Sequence, residues 1–336
     1  MVDGAPHEAR WLRPVPRRTL PLQLLERIVQ TAFPRAHVVD AQPLTDGWRN
    51  ANFKLRLDCT PEPVVLRIYE HDASICQKEV DLIRLIGGSV PVAEVLHTEA
   101  LGSDDIPPFV LMRHVEGITF RDLARAGDTE AIAQAAYSAG ETLASIGRTT
   151  FSKPGWLAPG PSVAAPLLEG TDRVPRFVDL CLASAQLRER MAVDLRERTH
   201  ALTWSWARQF ADLDGEACLV HGDFGKRNLL VRRMAGQWVV AAVLDWEFAV
   251  SSSSLADLGH FLRYERASRT VVEPHFSDGY LHAGGKLSQN WRQLARVVDL
   301  TALCESLTHD ELPKTVVSEL IELARATVEN RDPQLS

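Results

Sequence analysis

Apolar residues recur at helical spacing from Leu20 to Phe33 and then give way to two short runs, Ala51–Asp58 and Val64–Tyr69. The first stretch predicts an amphipathic helix, and the two runs predict strands divided by a turn holding Pro61 and Pro63. Ser74–Ile86 returns to the helical period and stops at Gly87 and Gly88, a glycine stop of the kind that ends helices. Ala93–His97 and Phe109–Val115 add two more strands, so the first third reads as a small sheet crossed by one internal helix. From Phe120 the pattern is mainly helical, most clearly over Thr129–Gly147 and Leu187–Phe210, with a loop rich in Pro and Gly over Lys153–Gly170. A β interlude over Cys218–Val220, Asn228–Arg232 and Trp238–Leu244 interrupts it, and after Leu255 helices run almost to the end. Residues 1–18 read as an irregular, basic and proline-rich arm. No internal repeat is visible.

Composition narrows the classes. The 336 residues are about twice a usual single-domain length, so two lobes or domains are expected. A net charge of −7 argues against a nucleic-acid partner, which calls for a basic excess. No apolar run approaches a bilayer span, and the first 18 residues hold no apolar stretch of the signal-peptide kind. The five cysteines (Cys59, Cys76, Cys181, Cys218, Cys304) are scattered and lack CxxC spacing, the pattern of reduced thiols. A soluble, cytoplasmic protein without a membrane partner is the expectation.

The chemistry concentrates in LVHGDFGKRNLLV (219–231) and VVAAVLDWEFAV (239–250). One apolar run delivers His221, Gly222 and Asp223 at its end, with Asn228 five residues after Asp223; a second run delivers Asp245. Phosphoryl transfer needs such a set. One carboxylate accepts or orients the proton of an attacking hydroxyl, and a few hard oxygens hold Mg²⁺ against the phosphates. A lone Asp after a strand is ordinarily a turn residue. HGD-x4-N together with a strand-terminal DWE is a far more specific combination, and protein kinases space their loop Asp and Asn alike. A metal hydrolase built on His221 and Asp223 would want further ligands at HxxxH or CxxC spacing, and none accompanies them.

HGDFGKRN with LDWE, and DLG at 257–259, resembles the aminoglycoside phosphotransferase and choline kinase family, relatives of the protein kinases. The resemblance spans about residues 20–325. It implies an α+β, two-lobed protein-kinase-like fold, with a β-rich nucleotide-binding lobe over 19–115 and a mainly helical lobe over 116–336 that carries catalysis and the acceptor. It implies Asp223 as catalytic base, Asn228 and Asp245 as Mg²⁺ ligands, His221 as a scaffold of the loop and Asp257 as its brace. ATP or GTP is the implied co-substrate, and a small hydroxylated molecule the acceptor.

Within that frame, Gly47 and Asn50 fall in the turn that covers the phosphates, which has one glycine where protein kinases have a G-x-G-x-x-G loop. Arg67 stands where a protein kinase carries a strand lysine, with Glu79 on the next helix as its partner. Arg113, His114 and Val115 form the hinge against which adenine would sit, with Met112 behind it. Lys226 and Arg227 reach either the γ-phosphate or solvent. For the acceptor, 13 acidic against 9 basic residues from Glu247 onward put Glu265, Glu273, Asp278 and Glu305 forward for a cationic molecule such as an aminoglycoside. Tyr264, Phe276, Tyr280 and Trp291 stand as an aromatic wall or as core. Metabolic kinases of choline, ethanolamine or homoserine-like alcohols use the same parts, and a pseudokinase would keep the fold without turnover. Oligomeric state is open.

Overall fold

The structure is a computed structural model that describes residues 20–44, 50–69, 73–103, 105–265 and 272–331. Its N-terminal part opens with α1 (Leu22–Ala32), followed by β1 (Val38–Leu44), β2 (Ala51–Leu57), β3 (Val64–Ile68), α2 (Ala73–Ile86), β4 (Val95–Glu99) and β5 (Phe109–Arg113). The five strands form an antiparallel sheet in the order β1-β2-β3-β5-β4. Side chains alternate between the faces of a strand. Leu55, Leu66, Phe109 and Leu111 accordingly join Leu25, Ile28 and Val29 of α1 in one core. Tyr69 and Val110 face the other way, onto Cys76 and Val80 of α2. The same alternation turns Arg67 toward α2.

The chain then runs through β6 (Ile118–Thr119), α3 (Phe120–Ala126), α4 (Thr129–Gly147), β7 (Gly155–Ala158), β8 (Ser162–Ala165), α5 (Arg173–Ala183), α6 (Ala185–Arg190), α7 (Val193–Ser205) and α8 (Ala207–Ala211). β9 (Cys218–Val220), β10 (Leu229–Met234), β11 (Gln237–Val243), a 3₁₀ turn at Trp246–Phe248 and β12 (Val250–Ser252) follow, and α9 (Leu255–Leu262), α10 (His275–His282), α11 (Trp291–Ser306) and α12 (Lys314–Val328) complete it. One large core, with Phe120, Phe224, Trp246, Phe261 and Phe276 nearly inaccessible, joins these helices beneath the β9–β12 region. Among the described residues no helix is long and apolar enough to cross a membrane.

Two expectations need correcting, and one strand, β1, went unpredicted. The single helix over Leu187–Phe210 is three helices, α6, α7 and α8. Met191 is extended and buried between the first two, and Arg190 donates to the carbonyls of Leu307, His309 and Asp310, so burial and tertiary bonds override local helix preference. The loop over Lys153–Gly170 holds the hairpin β7–β8, whose strands are too short for a period to show. β1 escapes the apolar pattern because it is an edge strand in which only Val38 is buried and the other six residues, Asp40, Gln42 and Pro43 among them, are exposed or half-buried.

Candidate active site

The hairpin β10–β11 sets the site. Its register pairs Leu229 with Val243, which leaves Asn228 and Leu244 facing each other at the open end, joined by the Leu244 amide donating to the Asn228 carbonyl at 2.8 Å. Asp245 comes next. It has a left-handed backbone (φ 65°, ψ 70°), which a non-glycine residue adopts at a cost of about 1–3 kcal/mol. That twist turns the chain out of the strand and aims the carboxylate across to the small sheet.

The loop before β10 is held from below. Buried Asp257, in the first turn of α9, accepts from the amides of His221 (2.7 Å) and Gly222 (3.0 Å). Burial pushes the Asp257 carboxyl up, with the nearby His221 and those two amides working against it. Gly222 has φ 81°, and a Cβ there would meet the Phe248 carbonyl at 2.5 Å, so the tight turn of His-Gly-Asp requires glycine. The His221 ring is fully buried against Trp246. Its Nε2 lies 2.9 Å from the Leu244 carbonyl, an acceptor, and its Nδ1 accepts from the Asp223 amide at 3.1 Å. Through these two contacts His221 ties the two loops together.

Asp223 stands at the centre. Its Oδ2 accepts from Asn228 Nδ2 at 2.8 Å, and the same nitrogen donates to the Asp223 carbonyl at 2.8 Å. Its Oδ1 lies 3.0 Å from His260 Nε2, on α9. Burial pushes the Asp223 carboxyl up, but the His260 contact, with Arg227 and His221 nearby, outweighs it and holds the group well below the usual carboxylate range.

Arg67 carries the contact between the lobes. It is buried, and one guanidinium faces three carboxylates: Nη2 donates to Asp245 Oδ1 at 2.5 Å and lies 3.5 Å from Glu247 Oε2, while Nε is 3.3 Å from Glu79 Oε2. Burial disfavours the charged guanidinium, yet Asp245 and Glu79 reverse this and hold it protonated. Glu79 also accepts from the Tyr69 hydroxyl (2.5 Å) and the Trp246 amide (3.2 Å). Asn50 donates to Glu247 at 2.8 Å, and Lys78 donates to the Glu247 carbonyl at 2.5 Å. Side-chain exposure separates the three acids: Glu79 3%, Glu247 5%, Asp245 26%. Of these three acids, only Asp245 opens toward the cleft.

Asp223, His221, Asn228, Asp245, Arg67, Glu79 and Asn50 therefore converge, and Gly47 lies outside the described residues. The hinge candidates sit apart on the rim. Arg113 pairs with Glu94 and Glu62, its amide donates to the Glu94 carbonyl, and the His114 amide donates to the Pro63 carbonyl. Burial lowers His114, helped by Lys54. Met112 is half-buried against the core. Lys226 does not face solvent: it is 7% exposed, its ammonium over the Phe261 ring and near Glu265. The acceptor candidates are largely engaged elsewhere. Glu265 accepts from the amides of Val272 and Glu273, Glu273 pairs with Arg292, and Glu305 pairs with His309. Phe276, Tyr280 and Trp291 are core, and the Tyr264 hydroxyl donates to Glu319. Two residues of the cluster escaped the sequence reading: Glu247, visible as the last letter of DWE, and His260, which follows DLG at the spacing that shares a helix face with Asp257.

Residues 40–297 match the phosphotransferase enzyme family, APH. The chain belongs to that family. The family is one of phosphotransferase enzymes. Acyl-CoA dehydrogenase family member 11 of Rattus norvegicus is 30% identical over 164 residues, 48% of this chain and 19% of that protein. The Homo sapiens protein of the same name is 28% identical over 184 residues, 54% of this chain and 21% of that protein. The chain thus spans about a fifth of the length of these curated relatives. Among solved structures, a thermostable mutant of aminoglycoside phosphotransferase APH(4)-Ia in ternary complex with ADP and hygromycin B superposes with a TM-score of 0.67, at 18% identity, covering 91% of this chain and 98% of that one. The GDP and kanamycin complex of an APH(2″) enzyme gives 0.65 at 17% identity, covering 91% and 98%. At such identity the likeness is one of fold: a two-lobed α+β, kinase-like architecture.

Proposed function

We propose that this phosphotransferase moves the γ-phosphoryl group of ATP or GTP onto a hydroxyl of a small acceptor, with Asp223 facing that hydroxyl. The observation that carries the reading is the meeting of Arg67 with Asp245 at 2.5 Å, beside a loop in which Asn228 orients Asp223. In this reading, phosphate is met from one lobe and the hydroxyl proton is accepted from the other, and the contact supports the reading because it joins the two at one cleft.

The residues suit Mg²⁺. The donors are hard oxygens, one carboxylate and one amide facing the cleft, which fits an ion that keeps several waters and takes the rest of its shell from phosphates. Among the described residues no group of three or more His, Cys, Asp or Glu is set to hold a metal, so a cage of the zinc kind has no counterpart there. Asp245 and the Oδ1 of Asn228 would hold the ion, which when bound neutralises phosphate charge. Arg67, braced by Glu79, would hold phosphate oxygens with a planar fork. Val115 and the hinge carbonyls are the reading for adenine, since the amides of Arg113 and His114 are already bonded within the protein.

In the transfer, the acceptor oxygen forms a bond to the γ-phosphorus, the bond from that phosphorus to the bridging oxygen breaks, and the hydroxyl proton passes to Asp223. A carboxylate held below its ordinary range is a weak base. Asp223 therefore acts chiefly by orienting the hydroxyl and takes the proton late, which suits a loose transition state with little bond formation to the nucleophile.

The acceptor is tested by nucleoside-diphosphate release with Mg²⁺ and ATP or GTP across a panel. It holds aminoglycosides, because the solved neighbours include complexes with hygromycin B and kanamycin, and choline, ethanolamine and homoserine-like alcohols. It also holds hydroxyacyl thioesters of coenzyme A, because the curated relatives carry acyl-CoA in their name. Turnover with one class fixes the acceptor. Silence with tight Mg²⁺-nucleotide binding means an acceptor outside the panel, and silence without nucleotide binding overturns the proposal.

A further inference from the structure

We propose that His260, backed by Arg263 and Asp299, is a positioning residue for phosphoryl transfer, fixing which face of the Asp223 carboxylate is presented to the acceptor hydroxyl. The inference rests on the reading of Asp223 given above and adds three residues to it.

The geometry is a directed chain of donors. Asp299 on α11 grips Arg263 with both oxygens, Oδ2 accepting from Nε at 2.8 Å and Oδ1 from Nη2 at 2.7 Å. Both side chains are nearly inaccessible, at 9% and 6%. Burial disfavours the Arg263 charge, but the bidentate Asp299 overrides that and keeps the guanidinium charged. The same Nη2 lies 3.3 Å from His260 Nδ1. A guanidinium has donors only, so Nδ1 must accept and the ring proton resides on Nε2. That Nε2 is 3.0 Å from Asp223 Oδ1. Asn228 Nδ2 takes the other oxygen. One donor on each oxygen pins the carboxylate plane and leaves its remaining lone pairs for the cleft.

The helices are shaped for the relay. His260 and Arg263 lie three residues apart on the α9 side, as do Asp257 and His260, so one helix end both braces the loop backbone and aims its side chain. A Cβ on Gly259 would meet the Ala295 carbonyl at 2.3 Å and Asp299 Cβ at 3.1 Å. Only a residue without a side chain lets α9 approach α11 that closely, and the approach delivers Arg263 to Asp299. A purely structural ion pair would be complete with Arg263 and Asp299. The third contact, onto an imidazole whose far nitrogen meets Asp223, is what assigns the chain a part in the reaction. The groups that face Asp223 are His260 from α9 and Arg227, His221 and Asn228 from its own loop.

The test uses the full chain in four variants: His260→Phe, His260→Gln, Arg263→Met and Asp223→Asn. ADP release from Mg·ATP is measured with the fastest acceptor of the panel and with water alone, alongside nucleotide affinity and thermal unfolding. His260→Phe is expected to lower kcat about 10- to 100-fold, the scale of a misaimed reacting group, with the Mg·ATP dissociation constant changed less than about threefold. Gln restores most of the rate, because its amide nitrogen can donate to Oδ1; Arg263→Met falls between. A folded His260→Phe with kcat within about twofold of the parent, or a folded His260→Gln as slow as Phe, overturns the proposal. Asp223→Asn separates the two levels: if it retains full activity, the reading of Asp223 fails and this one with it. If it is inactive while His260→Phe is not, only the relay fails. A readout without turnover comes from protein labelled with ¹⁵N-histidine, in which His260 must carry its proton on Nε2; a proton on Nδ1 alone refutes the chain of donors.

Discussion

Replacing Arg67 with methionine removes the one guanidinium among three carboxylates and keeps most of the side-chain volume. Asp245 loses a 2.5 Å bond, while Glu79 and Glu247 lose ion-pair contacts at 3.3 and 3.5 Å. What remains is uneven. Glu79 keeps the Tyr69 hydroxyl and the Trp246 amide, and Glu247 keeps Asn50. Deleting one partner of a buried ion pair costs about 3–5 kcal/mol, because the other charge stays buried without compensation. At about 2–4 °C per kcal/mol for a chain of this order of size, the melting temperature should fall by about 6–20 °C. Differential scanning fluorimetry and the shift in urea midpoint measure the loss, and the KM for Mg²⁺-nucleotide should rise in the same variant. Arg67→Lys should lie between, since an ammonium is a point charge and cannot span all three acids. A loss below about 1 kcal/mol, with an unchanged nucleotide KM, would refute the view that Arg67 holds the cleft together and meets phosphate.

Other outcomes follow from the same geometry. Asp223→Asn should reduce turnover by about 10²–10⁴-fold with little change in nucleotide affinity, checked by product release and nucleotide titration. Because the Asp223 carboxyl is held low, its share of stability is in place above the ordinary carboxylate value and is lost only as pH falls through the lower folded value. The rate profile should accordingly show no acid limb near the ordinary value of about 4, and a limb centred at about 4 or above would count against that. Asp257→Ala strips acceptors from two buried amides, at about 1–3 kcal/mol each, and should lower both the unfolding midpoint and kcat. A thiol reagent under native conditions should label exposed Cys59 first, and Cys59→Ser should remove the fast phase. Burial pushes Cys76 up to about 11 and Cys181 up to about 12, so both stay protonated and slow, and fast labelling at either would contradict the packing.

Much of this was legible in the chain because its signals are local. HGD-x4-N and DWE hold their chemistry within a few residues of strand ends, and the alternation of β3 alone turns Arg67 toward Glu79. The helices α2, α4 and α9–α12 show their period because each buries one face. What was hidden is what depends on distant partners. The break at Met191 exists because residues 307–310 receive Arg190, and nothing near Leu187 announces it. His260 looks like an ordinary helical residue until Arg263, Asp299 and Asp223 surround it. Glu265 and Glu273 look like acceptor ligands in sequence, but the backbone amides and arginine that occupy them come from the fold.

The placement of α9 divides the labour of movement between the lobes. The aim of Asp223 is referenced to α9 and α11, deep in the large lobe, whereas Arg67, Glu79 and Asn50 ride on the small sheet. Breathing of the cleft would stretch the contacts of Arg67 with Asp245 and Glu247, and it would leave the line from Asp299 to Asp223 undisturbed. On the proposed roles, nucleotide entry and acceptor aim would be mechanically uncoupled. Walls proposed to recognise the alcohol could drift or be rebuilt without retuning the carboxylate proposed to receive its proton, which would give one scaffold the means to serve many acceptors.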